Sequence, residues 1–171
     1  MHTIVREIKL TEYEELGKLM VDVYSNLQGF PKPKEQPNYY QMLEKVGSLN
    51  SQKNTKVLVA INNQEKLVGG IVYFSSMQQY GSGGLASQEK NSSGIRLLAV
   101  NNSARKQGVG KLLAKACIEL AIESSSKQII LHTTDAMKVA WKMYENLGFK
   151  RYKKLDFLQE GLPVYGFRLI L

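Results

Sequence analysis

Two hydrophobic periods alternate along the chain, and the switches between them divide it into strands and helices. From Thr3 to Leu10 the residues Ile4, Val5, Ile8 and Leu10 roughly alternate with polar ones, which predicts a strand. Thr11 and Glu14 then have the spacing of a capping box. The helix it opens, Glu12 to about Leu27, carries Tyr13, Leu16, Leu19, Met20, Val23 and Tyr24 on one stripe. Gln28-Gly29-Phe30-Pro31-Lys32-Pro33 breaks it, and Asn38 to Val46 predicts a second, shorter helix. The pair and their proline-rich connection form a segment suited to covering a substrate cleft.

Lys56 to Ile61 is a strand, Asn62 to Glu65 a turn, and Lys66 to Ser75 the returning strand of a hairpin. Gly69-Gly70 inside it marks a bend or a close backbone approach. Met77 to Ser93 is polar and rich in Gly and Ser, either a loop or the splayed ends of two strands. Ile95 to Val100 is a strand running into the turn Asn101 to Gly110. Val109, Leu112, Leu113, Ala116, Cys117, Leu120 and Ala121 then give the clearest helical stripe in the chain, closed by Ser124 to Ser126. Gln128 to Leu131 predicts a buried strand extended by His132-Thr133-Thr134. Thr134 or Asp135 caps a helix from Ala136 to Leu147, with Gly148 as its stop. Phe149 to Lys153 and Val164 to Ile170 form a final strand pair, and Leu155 to Pro163 between them shows no pattern.

That order predicts one mixed α/β domain over residues 1–171, with a seven-stranded sheet and about four helices on its two faces. Composition is that of an ordinary globular protein, 43% hydrophobic and 22% charged. The net charge of +8 suits an anionic ligand, and equally nucleic acid or an acidic surface. The basic residues are scattered, Lys32, Lys34, Lys106, Lys111, Lys153 and Lys154 among them, so they read as a solvated surface rather than a nucleic-acid footprint. One cysteine, Cys117, lies on an apolar helix stripe, which leaves no internal disulfide and fits a reducing compartment. The N-terminus lacks the apolar core of a signal peptide and no run reaches transmembrane length, so a cytoplasmic protein is expected.

The chemistry concentrates at Arg105-Lys106-Gln107-Gly108-Val109-Gly110, a basic glycine turn between a strand and a helix. Such a turn presents backbone N–H groups to an anion with the helix dipole behind them. A dinucleotide fold wants an acid at the end of the next strand, where this chain has His132-Thr133-Thr134; a Walker loop wants Gly-Lys-Ser/Thr, where it has Gly110-Lys111-Leu112. A pyrophosphate cradle with donors from Gln107 to Lys111 remains, beside the plain alternative of a helix-start loop. The two histidines and single cysteine have no metal-ligand spacing, and no Gly-x-Ser-x-Gly elbow occurs.

Arg105 to Leu113, preceded by Leu98-Ala99-Val100, resembles the acetyl-coenzyme A motif of GNAT-superfamily N-acetyltransferases. Ala140-Trp141-Lys142-Met143-Tyr144-Glu145-Asn146-Leu147-Gly148-Phe149 is similar to that family's Ala-x-x-x-Tyr-Glu-x-x-Gly-Phe segment, and the element order from Thr3 to Ile170 also fits. The resemblance implies a GNAT-like fold with a mostly antiparallel sheet. It also implies an acyltransferase in which a primary amine directly attacks the thioester of acetyl-coenzyme A through a tetrahedral intermediate. It places the oxyanion donor on a bulged strand at Leu98, Ala99 and Val100. It gives cofactor contacts to Arg105, Lys106, Gln107, Gly108, Val109, Gly110 and Lys111 and, with Thr133 or Thr134 replacing the asparagine whose position Met137 holds, to β-strand-end hydroxyls. Tyr144 matches the general acid that protonates the leaving thiolate and also touches the cofactor. It implies a small-molecule or peptide amine acceptor and leaves a homodimer open; the residue spacings above lead to the expectation of no metal and no membrane partner.

The general base is not marked; Glu7, Glu89, His132 and Asp135 stand at strand ends or near the cleft. Arg96 either pairs with a carboxylate or points into the substrate cleft, and Tyr24, Phe30, Tyr39 and Tyr40 either line the acceptor pocket or pack the first two helices. Two alternatives stand beside the enzyme: a non-catalytic acyl-coenzyme A sensor of the same fold, and a basic nucleic-acid-associated protein.

Overall fold

The computed structural model describes residues 2–171. In chain order the elements are β1 (Ile4–Glu7), α1 (Tyr13–Ser25), α2 (Pro37–Glu44), β2 (Thr55–Ile61), β3 (Leu67–Phe74) and β4 (Ser92–Val100), followed by α3 (Val109–Glu123), β5 (Gln128–Thr133), α4 (Lys138–Asn146), β6 (Lys150–Arg151), β7 (Phe157–Gln159) and β8 (Leu162–Ile170). The sheet has eight strands rather than seven, in the order β1-β2-β3-β4-β5-β8-β6, with β7 paired to β8 away from that path. Among the described residues only β4 and β5 run parallel; the other pairs are antiparallel.

The extra strand comes from the patternless segment. Glu160 (φ 48°) and Gly161 (φ 83°) form a two-residue turn with both residues left-handed, the geometry that matches strand twist in a tight hairpin. It joins Phe157–Gln159 to Leu162–Val164. Met77 to Ser93 holds two short 3-10 turns, at Met77–Gln79 and Ala86–Gln88, before β4 begins.

Both faces of the sheet are covered, which is why β2 and β3 read as nearly continuous apolar runs. On one face Leu16, Met20, Tyr24, Leu43 and Val46 of the first helical segment pack on Val57, Val59, Val72, Phe74, Leu97 and Ala99. On the other, Val109, Leu113, Cys117, Ala121 and Tyr144 pack on Leu58, Ala60, Ile71, Tyr73, Ile95, Ile129 and Leu131. Gly69-Gly70 is a close approach: a Cβ on Gly70 would stand 2.5 Å from Leu16 Cδ1, and one on Gly69 3.2 Å from Leu113 and Val109. The pair lets a helix press on the same strand from each side.

The expected helix caps differ. Thr11 lies inside a short 3-10 turn, Leu10–Glu12, and the carboxylate that closes the turn is Glu12, which accepts from the Lys9 amide at 2.8 Å and holds Arg6 at 2.9 and 2.6 Å. Neither Thr134 nor Asp135 caps the fourth helix; residues 135–137 form another 3-10 turn without a side-chain cap, and Asp135 instead accepts from the Tyr165 hydroxyl at 3.2 Å.

Candidate active site

The site begins where β4 and β5 part. Their parallel pairing runs only from Ser92↔Gln128 to Ile95↔Leu131. Beyond it, β4 carries one extra residue: the step from Arg96 to Ala99 opposes the shorter step from Val72 to Gly70 on β3. Leu97 takes the strain with φ 57°, a conformation that bulky residues rarely adopt. The bulge turns the end of β4 away from β5 and leaves its outer N–H and C=O groups facing a gap.

The turn after β4 fills one end of that gap with donors. Asn101 Oδ1 accepts from the Ser103 amide at 2.9 Å and fixes the first bend. Lys106 (φ 62°) and Gly108 (φ 80°) are both left-handed, so the chain winds tightly into α3. Among the described residues the amides of 107–111 donate to no backbone or side-chain acceptor, the ordinary state of a helix start. The positive end of a 15-residue helix dipole lies behind them. Gly108 is required by its φ rather than by crowding, since a Cβ there meets nothing within 4 Å. Gly110 is required on neither ground: its φ is not left-handed, and a Cβ there would rest 3.4 Å from Met143 Sδ, ordinary contact.

These features open on one cleft of about 1680 Å³. Leu98, Ala99, Val100, Arg105, Lys106, Gly108, Val109, Gly110, Lys111, Thr133 and Tyr144 all line it. Gln107 is the exception among the expected contacts; its side chain turns back to donate to the Ser103 carbonyl at 2.9 Å, leaving only its amide toward the anion side. Tyr144 is 6% exposed, and its hydroxyl takes no hydrogen bond among the described residues. Burial, with Cys117 and Tyr80 nearby, pushes its phenol well above the usual range, so it stays protonated across neutral pH. The hydroxyls of Thr133 and Thr134 are buried without a partner, and both residues line the cleft. A buried polar atom left unpaired costs about 1–3 kcal/mol, so these are sites where a ligand amide gains by binding. Met137, at the position where the resemblance leads one to look for an asparagine, packs against the α1–α2 core.

The far wall of the cleft belongs to α1, α2, the Gly81–Gly84 loop and the β7–β8 hairpin. Tyr24, Phe30 and Tyr39 line it and pack on one another, Tyr24 edge-on to both of the others, with centroids 5.5 to 6.2 Å apart. Tyr24 also donates to the Leu98 carbonyl at 3.1 Å, tying α1 to the bulged strand. Tyr40 is turned away, donating to the Pro31 carbonyl at 2.7 Å. Arg96 lines the cleft and pairs with no carboxylate among the described residues.

Of the candidate bases, Glu7 and Glu89 lie off the cleft; Glu7 faces Asn50 and Lys56, and Glu89 faces Lys154 and Gln128. His132 lines the cleft but is tied at both nitrogens: Nε2 donates to the Leu155 carbonyl at 2.8 Å, so Nδ1 accepts from the Tyr80 hydroxyl at 2.9 Å. Burial holds its pKa below the ordinary imidazole value. Asp135 lines the cleft as the partner of Tyr165. Phe157, Leu158, Glu160 and Leu162 line it too and were missed in the sequence; the Glu160-Gly161 turn was the available signal.

No group of three or more His, Cys, Asp or Glu lies together among the described residues, and no helix there is long and apolar enough to cross a membrane.

Comparison with known proteins bears on the same region. The model of the Acetyltransferase (GNAT) family matches residues 18–149. N-alpha-acetyltransferase 30 of Xenopus laevis is 41% identical over 61 residues, 36% of this chain. The match spans only 22% of that protein. An acetyltransferase of the GNAT family from Staphylococcus aureus Mu50 superposes with a TM-score of 0.75 at 21% identity, covering 99% of each chain. The PaiA N-acetyltransferase of Thermoplasma acidophilum, solved in complex with coenzyme A, superposes with a TM-score of 0.76 at 14% identity over 100% of both chains. At such identities these likenesses concern the fold.

Proposed function

The chain belongs to the acetyltransferase (GNAT) family, and on that premise we propose that residues 1–171 act as one domain, an acyltransferase that moves an acetyl group from acetyl-coenzyme A to a primary amine. The observation that carries this reading is the joining, in one cleft, of the unpartnered amides at 107–111, the opened end of β4 and the free hydroxyl of Tyr144.

The residues present fit the co-substrate. The amides of 107–111 and the Arg105 and Lys106 side chains would hold its pyrophosphate. The outer edge of β4 from Leu98 to Val100 would pair with the amides of its arm, and the orphaned hydroxyls of Thr133 and Thr134 supply contacts on the β5 side. Acetyl-coenzyme A, when bound, supplies an activated acyl carbon. As the amine nitrogen bonds to the acyl carbon and the carbon–sulfur bond breaks, a backbone amide of the bulge would donate to the thioester oxygen. Tyr144 would donate its proton to the departing sulfur, in exchange for the proton the amine gives up. No side chain is assigned as the base that deprotonates the amine. His132, neutral and lining the cleft, is held by Tyr80 and Leu155 and acts by positioning Tyr80 and the β7 side of the cleft.

A thiol-release assay with acetyl-coenzyme A and a broad panel of primary amines tests the proposal. The expected result is amine-dependent release for at least one compound class. Tyr144→Phe is expected to lower kcat about 100-fold, the scale of a general acid, with coenzyme A affinity retained. Binding of coenzyme A without amine-dependent release from any panel member would contradict the enzyme reading, and an unchanged rate in Tyr144→Phe would remove that residue's role.

A further inference from the structure

The bulge at Leu97 has a second consequence, on the acceptor side. It turns two successive residues to the same face of the sheet: Leu97 joins the α1–α2 core, and Arg96 reaches Tyr80, which belongs to that core as well. The Arg96 guanidinium therefore emerges into the cleft just before the strand segment that faces the reacting acyl group.

What surrounds it is aromatic and apolar. Nη1 donates to the Tyr80 carbonyl at 2.8 Å, and the guanidinium carbon lies 5.8 Å from the Tyr80 ring centroid. Nη2 and Nε have no partner among the described residues. The Gly81–Gly84 loop passes directly over it; a Cβ on Gly81 would stand 3.1 Å from Nη1. The ion pairs of the described residues all lie elsewhere, so this half-buried cation has no fixed counter-charge. Burial raises the phenols of Tyr24, Tyr39 and Tyr80, and the Arg96 charge opposes the rise in all three, so its field reaches each of these rings.

A guanidinium with two open donors, held out of bulk water by a loop, matches a planar carboxylate. Two of the acidic residues that line the cleft are engaged elsewhere: Glu35 accepts from the Lys32 amide at 2.6 Å and Asp135 from Tyr165. Glu160 sits at the tip of the β7–β8 turn. We propose that Arg96 is a specificity determinant that binds the carboxylate of the acceptor, so that the preferred acceptor is a primary amine carrying a carboxylate. The proposal rests on the acetyl-transfer reading of the same cleft. The carboxylate belongs either to a free amino acid or to an acidic side chain near a peptide N-terminus, and the assay separates the two.

The test compares kcat/KM for free L-amino acids, their α-amides, and C-terminally amidated peptides with or without aspartate at the second position. The expected result is a preference of about ten- to hundredfold for one carboxylate-bearing set over its matched neutral set, the scale of a hydrogen-bonded charge pair. Arg96→Gln should erase that preference, bringing kcat/KM of the carboxylate-bearing set down to that of its matched neutral set; Arg96→Lys, which keeps the charge and loses the fork, should retain part of it. Equal rates for acids and amides, with release still amine-dependent, overturn the inference and leave the acetyltransferase reading intact. If no amine is turned over, the reading fails, and calorimetric titration of the same amino acids and peptides in the presence of coenzyme A decides the inference alone. Binding of the acids that is lost in Arg96→Gln supports the carboxylate site, and no binding, or binding indifferent to the substitution, overturns it. Circular dichroism and thermal melts of both variants check that the fold is kept.

Discussion

The two walls of the cleft are built from different materials. On the wall we propose for the cofactor the groups are mostly backbone: the amides of 107–111, the freed edge of β4 and the left-handed turns at Lys106 and Gly108. On the wall we propose for the acceptor they are side chains, Tyr24, Phe30, Tyr39, Arg96 and Phe157, brought in from four separate stretches of sequence. A site made of backbone constrains the sequence at fixed short spacings, because only certain residues permit the conformation. A site made of side chains leaves no such spacing, because each contributor is set by tertiary packing.

The difference can be broken from either side. Gly108→Ala puts a side chain into open space but forces a left-handed conformation on a residue that resists it by roughly 1–2 kcal/mol. Coenzyme A affinity is expected to fall about tenfold, read by calorimetry, with acceptor KM unmoved. Phe157→Ala removes the ring that packs against Gly83, Gly84 and His132. Acceptor KM should rise about fivefold, on the order of 1 kcal/mol of lost contact, with coenzyme A affinity unchanged. If both variants moved both constants equally, the two walls would not be separate.

The smallest effect concerns His132, at the seam between the walls. Because its folded pKa is depressed, chiefly by burial, the unfolded chain binds a proton below about pH 6.5 that the folded chain refuses. Stability is full above that pH and declines as pH falls through it. The carboxylates held low by cations, Glu12 by Arg6 and Asp156 by Arg151, lose their contribution only in a more acidic range. Between pH 7.5 and 5.5 the melting temperature should fall. His132→Gln should flatten that slope, and an unchanged slope would show that another group is responsible.

The same contrast explains what the sequence revealed. The turn Arg105–Gly110, the stripe of α3 and the segment ending in Tyr144-Glu145-Asn146-Leu147-Gly148-Phe149 were legible because local conformation and one apolar face dictate them. Gly69-Gly70 was legible as a close approach, since two helices press on it from opposite faces. The β7–β8 hairpin was hidden by its three-residue strand and by Pro163, and its Glu160-Gly161 turn was the sole local clue. The capping residues misled because Thr11, Thr134 and Asp135 carry the right chemistry in places where 3-10 turns intervene. The two readings open for Arg96, ion pair or cleft, could be separated only by its three-dimensional neighbours, Tyr80 and the Gly81–Gly84 loop.

The central claim is that the turn before α3 is a backbone cradle for the coenzyme. A titration of the ¹⁵N-labelled chain with coenzyme A, followed by amide NMR, tests it most directly. The account predicts saturable shifts that are largest at the amides of residues 107–111, with smaller ones at Leu98 to Val100 and at Thr133 and Thr134. Shifts centred elsewhere, or none at millimolar coenzyme A, would contradict it.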